Sequence, residues 1–358
     1  MGVRELLGIE APVVLGPFGG MSSVELTAAV SEAGGLGSFG LYGLSAERIR
    51  AVGDELRLRT SRPFALNLWL PFRAPGEPDA GDGFGRDDVE RAIAALRPLF
   101  DEAGASVPEW PVAPLPDFDA QFAAALDARP AALSFVFGVP PTEVVEEAHR
   151  RGIRIIGTAT TVPEARALEG GGVDAVVASG SEAAGHRPSF LADPEDSLVG
   201  GLALIPQVVD AVGIPVIAAG GIADRRGVAA AFALGASGVQ VGSAFLATRQ
   251  SAAPPVHRDR IRSALAHETV LTRAMSGRPA RGLPNRAVRT IEQSGAIAPF
   301  PLQNIVTGVF RRRAAETGDA ELLSLWMGQS AGLSRHDDAA DVFAELAAGV
   351  PGRTEGDS

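Results

Sequence analysis

The chain contains no cysteine, no lysine and only one tyrosine, Tyr42. Without cysteine there can be no disulfide, no thiolate nucleophile and no cysteine-ligated iron–sulfur cluster. Without lysine, Schiff-base catalysis, a lysine base and the standard P-loop are excluded. Acid–base chemistry therefore falls to the five histidines or to the carboxylates.

The sequence also lacks long apolar runs and an excess of positive charge. No apolar stretch reaches the roughly 18 residues that suggest a membrane-spanning helix, and the N-terminus lacks the apolar core of a signal peptide. We therefore expect a cytoplasmic protein with no membrane partner. The net charge of −11 argues against nucleic acid as a partner, because a phosphate backbone requires a basic surface. The run Arg311-Arg-Arg313 is interpreted as a solvated helix face.

What is present is a repeated alternation of apolar strand, glycine-rich turn and helix. The predicted strands lie at 13–15, 36–41, 64–70, 132–138, 154–160, 174–178, 215–219 and 238–242. Ser22 is predicted to cap the first helix after a strand, with Glu25 completing a capping box. Eight strand–helix units in about 235 residues predict an α/β fold of the (β/α)8 TIM-barrel type.

The organisation of the chain follows from where this alternation stops. We expect residues 1–250 to form the barrel, with a loop-and-helix insertion at about 71–130. The insertion is interpreted either as a lid over the site or as a surface excursion with no role. Residues 251–350 are expected to form a small, mainly helical C-terminal domain without strands, and 351–358 a disordered tail. Helices are predicted there at 257–267, 302–316, 321–326 and 338–348.

Three turns at the ends of the last three predicted strands carry residues suited to an anion and a base. Gly220 and Gly221 open a helix, while Gly242 and Ser243 follow the final strand. Glycine lets main-chain N–H groups approach an anion closely, and a helix N-terminus favours negative charge. His186 follows its strand by a few residues and belongs to the residue type that titrates near neutral pH. Because barrel active sites lie at this end of the strands, the sequence predicts a phosphate-bearing cofactor beside a general base.

The other four histidines do not suggest a metal site. His149 adjoins two arginines on a predicted helix and is expected to face solvent. His257, His267 and His336 lie in the C-terminal region without the spacing of metal ligands. The sequence therefore predicts no bound metal.

Further motifs extend this pattern over nearly the whole chain. They are Gly16-Pro-Phe-Gly-Gly-Met21, Ala33-Gly-Gly-Leu-Gly37, Asn67-Leu-Trp-Leu-Pro71, Ser134-Phe-Val-Phe-Gly138, Gly180-Ser-Glu-Ala-Ala-Gly-His-Arg187, Ala218-Ala-Gly-Gly-Ile-Ala-Asp224, Leu234-Gly-Ala-Ser-Gly-Val-Gln-Val-Gly-Ser-Ala-Phe245, Ser276-Gly-Arg-Pro-Ala-Arg281 and Met327-Gly-Gln329. In these motifs the chain resembles the FMN-dependent nitronate monooxygenases, formerly called 2-nitropropane dioxygenases. The histidine motif together with the two glycine turns is specific for this superfamily, and the segment at 134–138 favours its nitronate branch.

The resemblance implies FMN as the cofactor and a set of residues that bind it. That set is Pro17, Phe18, Gly19, Asn67, Ser179, Gly180, Ala184, Gly220, Gly221, Gln240, Val241, Gly242 and Ser243. Within the set, Asn67 would hydrogen-bond the flavin, the 17–19 main chain would lie near its ring, and the two glycine turns would hold its phosphate. Five positions depart from the family pattern. Ser179 stands where Gln is usual, Ala184 replaces a glycine, and Phe18 stands where Met is common. Outside the set, Pro188 stands where Gly is usual, and Phe300 stands where many relatives carry Tyr.

The resemblance also implies a reaction. A small nitronate would react with O2 at the flavin to give a carbonyl compound and nitrite, and His186 would act as the base toward a neutral nitroalkane. Two alternatives stay open: a flavin enoyl-acyl-carrier-protein reductase that uses NAD(P)H, and a flavin-binding accessory protein without turnover. The protein is expected to be a monomer or a homodimer.

Overall fold

A closed ring of parallel strands forms the centre of the fold in the computed structural model, which describes residues 2–71 and 84–352. The strands are β1 (Val13–Leu15), β2 (Gly37–Gly40), β3 (Phe64–Trp69), β4 (Ala132–Val136), β5 (Arg154–Ala159), β6 (Ala175–Ser179), β7 (Gly185–His186), β8 (Val216–Ala219), β9 (Gly238–Val241), β10 (Val270–Thr272) and β11 (Ala280–Gly282). Eight of them form one parallel sheet in the order β1-β9-β8-β6-β5-β4-β3-β2. A parallel bridge between Val14 and Leu36 joins the two ends of that sheet. The predicted (β/α)8 TIM barrel is confirmed.

Helices surround the barrel and continue into the C-terminal region. They are α1 (Val3–Leu7), α2 (Val24–Glu32), α3 (Ala46–Arg59), α4 (Arg86–Ala103), α5 (Phe118–Asp127), α6 (Thr142–Arg150), α7 (Val162–Gly170), α8 (Gly201–Ala211), α9 (Arg225–Ala233), α10 (Ser243–Leu246), α11 (Pro255–Ser263), α12 (Arg286–Ser294), α13 (Leu302–Thr317) and α14 (Ala339–Ala347). Within the described ranges, none of these helices has the length and apolar character needed to cross a membrane.

The start of α2 corrects one local prediction. Its N-cap is Ser23, whose Oγ accepts a hydrogen bond from Leu26 N–H at 2.9 Å. Ser22, the predicted cap, instead donates to Phe18 O at 2.9 Å and accepts from Gly40 N–H at 3.0 Å. The hydroxyl of Ser22 thus links the turn after β1 to the end of β2 by hydrogen bonds. It helps to fix the shape of the barrel at the carboxyl ends of these strands.

The predicted insertion at 71–130 contains two helices that pack in different places. Helix α5 packs against α3 and β3, so it is the ordinary barrel helix that follows the third strand. Helix α4 matches the predicted helix near 87–102 but packs against α13 of the C-terminal region. Residues 72–83 lie outside the described part of the chain, so the lid interpretation stays a prediction.

The prediction that strands cease after residue 250 is wrong. Strands β10 and β11 pair antiparallel, and β11 pairs in turn with β7, which places Ala280 opposite His186. These strands have three residues or fewer, too short for an alternating apolar pattern to reveal them. The helix predicted at 321–326 is also wrong, because the 3-10 helix Ala320–Leu322 gives way to extended chain. Helix α12 had no prediction.

Packing crosses the predicted domain boundary at residue 250 in both directions. Helix α14 packs against α2 and α9, and Phe343 on it is 4% exposed within the apolar core of the barrel. In the other direction, Leu96 and Phe100 of α4 belong to a second core that also includes residues of α12 and α13. The barrel and the C-terminal region therefore share their cores. The tail predicted to be disordered lies outside the described residues from 353 onward.

Candidate active site

One cavity of about 440 Å³ opens at the carboxyl ends of the barrel strands. It brings together His186 and eleven of the thirteen predicted cofactor-binding residues: Pro17, Phe18, Gly19, Asn67, Ser179, Ala184, Gly220, Gly221, Gln240, Gly242 and Ser243. Gly180 and Val241 do not line it. Val241 is 1% exposed in the barrel core, and its carbonyl accepts from Gly16 N–H at 2.8 Å. The carbonyl of Gly180 accepts from Arg187 Nη1 at 2.6 Å.

His186 is held at the cavity by main-chain pairing and by one side-chain contact. Its strand β7 pairs with β11, and its Nε2 lies 2.9 Å from the Oγ of fully buried Ser276. The Oγ of Ser276 also lies 3.0 Å from the carbonyl oxygen of Arg278, which can only accept. Ser276 has one hydroxyl hydrogen, so the network assigns that hydrogen to Arg278 O and places the imidazole hydrogen on Nε2. Nδ1 is then the nitrogen that can accept a proton.

The surroundings of His186 keep its ring uncharged. Burial, together with the smaller effect of the nearby Arg278 and Arg311 guanidinium groups, lowers its pKa from 6.5 to about 3. Three aromatic rings enclose the imidazole: those of Trp69, Trp326 and Phe300, at centroid distances of 5.1, 5.8 and 6.0 Å. Among apolar rings, the neutral imidazole has a lower free energy than the protonated imidazolium, because a buried charge is poorly solvated.

The two glycine turns present main-chain donors to the same cavity. Gly220 and Gly221 have φ of +96° and +72°, a left-handed conformation that residues with a Cβ rarely adopt. Among the described residues, no group accepts the N–H of Gly220, Gly221 or Gly242. Unpaired N–H groups at a cavity wall are suited to bind an anion such as a phosphate.

A carboxylate lies close to this anion-binding wall. Glu182 lines the cavity, and both of its carboxylate oxygens accept the N–H of Gly201, at 2.8 and 3.0 Å. Gly201 is the first residue of α8, so Glu182 caps that helix. Its charge is offset by the helix N-terminus, which reduces its repulsion of a phosphate nearby.

Comparison with known proteins identifies the family. The sequence model of the family described as nitronate monooxygenase matches residues 2–349. The chain belongs to the nitronate monooxygenase family. A probable nitronate monooxygenase from Staphylococcus aureus (strain Newman) is 36% identical over 347 residues, which is 96% of this chain and 95% of that protein.

Solved structures agree with this assignment to the nitronate monooxygenase family. Nitroalkane oxidase from Streptomyces ansochromogenes superposes with a TM-score of 0.86 at 38% identity, over 97% of this chain and 96% of that one. FabK from Thermotoga maritima superposes with a TM-score of 0.73 at 32% identity, over 96% and 94% of the two chains. The chain is thus an enzyme of the nitronate monooxygenase family.

The cavity fits the flavin that is typical of nitronate monooxygenases. Its volume lies in the range of about 300–1,000 Å³ found for small-molecule sites. The glycine turns offer unpaired N–H groups at one end, and Asn67 lies in its wall. The Nδ2 of Asn67 donates to Ser134 O and Oγ at 3.2 and 3.0 Å. Among the described residues nothing donates to its Oδ1, which is left as an acceptor for a ligand N–H.

Several residues of the site were missed or misread from the sequence. Arg311 was interpreted as part of a solvated helix face, and that prediction is wrong: the side chain lines the cavity and is half-buried. Its neighbours Arg312 and Arg313 are exposed. Trp69 could have been found, because it follows Asn67 by two residues and alternate strand residues share a face. Trp326 was predicted to end a helix at 321–326, and it lies in extended chain instead.

The remaining histidines lie away from the site. His149 is exposed, as predicted, and its Nε2 lies 2.8 Å from Asp174 Oδ2. His257 is 1% exposed, with Nε2 3.1 Å from Trp326 O, and burial lowers its pKa to about 4. Within residues 2–71 and 84–352, no group of three or more histidine or carboxylate side chains is arranged to hold a metal ion.

Proposed function

We propose that this enzyme oxidises small alkyl nitronates with O2 to a carbonyl compound and nitrite, with FMN as its cofactor. The observation that carries the proposal is that one cavity contains both the His186 ring and the unpaired N–H groups of the two glycine turns. Gly220, Gly221, Gly242 and Ser243 would hold the phosphate, and Asn67 would accept from the flavin ring. Bound FMN would supply the redox chemistry that no side chain of this protein can provide.

The protein's own contribution is to position an anion and to manage one proton. Arg278 and Arg311 disfavour a positive imidazolium, and by the same electrostatics they favour a negatively charged nitronate near His186. The rings of Trp69, Trp326 and Phe300 exclude water from the imidazole. With a neutral nitroalkane, Nδ1 of His186 would take the proton from the carbon next to the nitro group, and the Arg side chains would stabilise the resulting anion.

The test begins with the purified protein and a matched pair of histidine variants. We expect a yellow protein that releases FMN on denaturation, consumes O2 and forms nitrite with propionate 3-nitronate. With neutral nitroethane as the substrate, His186→Asn should lower kcat/KM by about 100-fold or more, the usual contribution of a general acid–base residue. His149→Asn, which changes an exposed histidine, should leave kcat/KM unchanged.

The same experiment separates the alternatives. Anaerobic bleaching of the flavin by NADH, with none by the nitronate, would overturn the proposal in favour of the NAD(P)H-dependent reductase. A yellow protein that reacts with neither would indicate an accessory role. Equal activity of wild type and His186→Asn toward neutral nitroethane would show that His186 is not the base.

A further inference from the structure

Three polar side chains join the barrel to helix α13 on one wall of the cavity. Tyr42 lies in the turn after β2, while Asn304 and Arg311 lie on α13, and all three line the cavity. Asn304 connects the other two: its Nδ2 donates to Tyr42 Oη at 3.0 Å, and its Oδ1 accepts from Arg311 Nη2 at 2.7 Å. We call this set the Tyr42–Asn304–Arg311 wall.

The charge of Arg311 has no carboxylate partner among the described residues. Its Nη1 donates to Ser324 Oγ at 2.9 Å, and Nη2 also donates to Asn304 O at 2.9 Å, so every acceptor it meets is neutral. Its Nε is buried without a hydrogen-bond partner. Burial lowers the pKa of Arg311 only to about 10, so the guanidinium remains charged at neutral pH. A half-buried cation without a counter-ion is costly, and an anion in the cavity would relieve that cost.

The wall also keeps hydrogen-bond donors unused. The phenol oxygen of Tyr42 accepts from Asn304, and among the described residues nothing accepts the hydroxyl hydrogen. Burial raises the pKa of Tyr42, so this hydrogen is retained at neutral pH. Nη1 of Arg311 has two hydrogens and uses one on Ser324. Two donors next to one positive charge are what a planar oxyanion accepts.

No carboxylate in the described lining of the cavity neutralises the positive charge of Arg311. The one lining carboxylate among the described residues, Glu182, is bound to Gly201 at the start of α8. The ring of Tyr42 also contacts Trp69, at a centroid distance of 4.2 Å, and Phe300, at 6.3 Å. The wall thus combines a charged group with neighbouring aromatic rings, a match for a small anion with an apolar body.

We propose that Tyr42, Asn304 and Arg311 form a subsite for a planar oxyanion, such as a carboxylate group or the two oxygens of a nitronate. Arg311 supplies the charge and one donor, Tyr42 supplies the second donor, and Asn304 positions both. The subsite makes the cavity select anions over neutral molecules of the same shape. It depends on the cavity alone and not on the oxidation reaction, so it can be tested without turnover.

The test compares acetate with acetamide, which share a shape and differ in charge. Binding to the flavin-loaded protein is followed by tryptophan fluorescence at constant ionic strength, in a Trp110→Phe background so that the signal comes from Trp69 and Trp326. We expect acetate to bind at least about 10-fold more tightly than acetamide. Arg311→Gln should weaken acetate about 10-fold and leave acetamide unchanged, while Arg312→Gln, at an exposed neighbouring position, should change neither.

Tyr42→Phe provides a milder variant in case Arg311→Gln does not fold. It removes one donor and keeps the ring, so acetate affinity should fall about 3-fold with acetamide unaffected. In the wild type, acetate but not acetamide should raise the unfolding temperature. Equal binding of the two probes, or an equal loss of both in Arg311→Gln, would overturn the subsite. A nitronate oxidase that fails this test would still support the proposed function, and an anion-selective protein without oxidase activity would support only the subsite.

Discussion

The surroundings of His186 determine how readily its imidazole accepts a proton. An imidazole whose pKa is lowered to about 3 is unprotonated at every physiological pH, yet it is a weak proton acceptor. A substrate that arrives already deprotonated does not need a strong base. The residue-scale picture therefore favours a nitronate over its neutral parent nitroalkane.

The deprotonated and neutral forms of the same substrate should therefore be oxidised at very different rates. Preformed ethyl nitronate should be oxidised with a kcat/KM at least about 100-fold higher than that of freshly dissolved neutral nitroethane, because only the latter needs a proton removed by His186. The measurement is initial O2 uptake with each form at the same pH. Similar values for the two forms would show that His186 accepts a proton readily once substrate is bound. The outcome is informative because a similar protein is a nitroalkane oxidase.

A second residue-scale prediction concerns stability at mildly acidic pH. His257 has its pKa lowered from 6.5 to about 4 when folded, so between these values the unfolded chain binds more protons than the folded protein. The free energy of unfolding should therefore fall as pH drops from about 6.5 to about 4, by roughly 2–3 kcal/mol from His257. His257→Gln should flatten the fall in urea denaturation, and His267→Gln, at an exposed site, should not. A fall of equal size in all three proteins would contradict this reasoning.

Side-chain chemistry was only partly predictable from the sequence. His186 stood out because glycines flank it and a strand precedes it, and both features are local. Arg311 could not be separated from Arg312 and Arg313, because three consecutive arginines look the same until the buried face of α13 is known. That face depends on α4, which lies some 200 residues earlier in the chain.

At the scale of elements, the two glycine turns allow a controlled test of cofactor binding. Gly221→Ala places a Cβ in a left-handed conformation with φ of +72°, at a cost of about 1 kcal/mol, and adds a methyl group beside an unpaired N–H. We expect the affinity for FMN to fall about 10-fold, measured by flavin fluorescence on titration of the stripped protein. Gly172→Ala imposes a similar strain at φ of +85° in the turn before β6, away from the cavity lining. Its FMN affinity should be unchanged, and a matching loss there would indicate a general effect of strain.

Elements with a strong periodic signal were predicted well, and those held by tertiary contacts were not. The barrel strands were recognisable because each is a buried apolar run that ends in glycine or a polar residue. Strands β7, β10 and β11 have no such run, and they exist because Arg281 and its neighbours pair across long sequence separations. The main-chain groups of β7 need partners, and the C-terminal region supplies them.

At the scale of the whole molecule, the shared cores predict one cooperative unit. Phe343 on α14 is 4% exposed and packs with barrel residues, so Phe343→Ala should lower the free energy of unfolding by about 3–5 kcal/mol. The loss should shift the single denaturant transition seen by far-ultraviolet circular dichroism and by tryptophan fluorescence alike. Leu333→Ala, at a site 38% exposed, should cost less than about 1 kcal/mol. Two separated transitions would show that the barrel unfolds independently.

The architecture of the whole chain was foreseeable, whereas its internal boundary was not. The count of strand–helix units fixes a TIM barrel, since few folds accommodate eight of them in a row. Sequence order suggests that residues after 250 form a separate body. In the folded protein, α14 of the C-terminal region packs against the barrel helices α2 and α9, and α4 packs against α13 of the C-terminal region.

The pairing of β7 with β11 limits how this enzyme can be re-engineered. His186 belongs to the barrel by sequence, but it pairs with Ala280, and the preceding Gly185 pairs with Arg281, both far along the polypeptide. A chimera that joins the first 250 residues to the C-terminal region of another protein would keep His186 but lose strands β10 and β11, which hold its main chain in place. Chimeras between members of this family should therefore take the segment from Val270 to Gly282 and the barrel from the same parent protein.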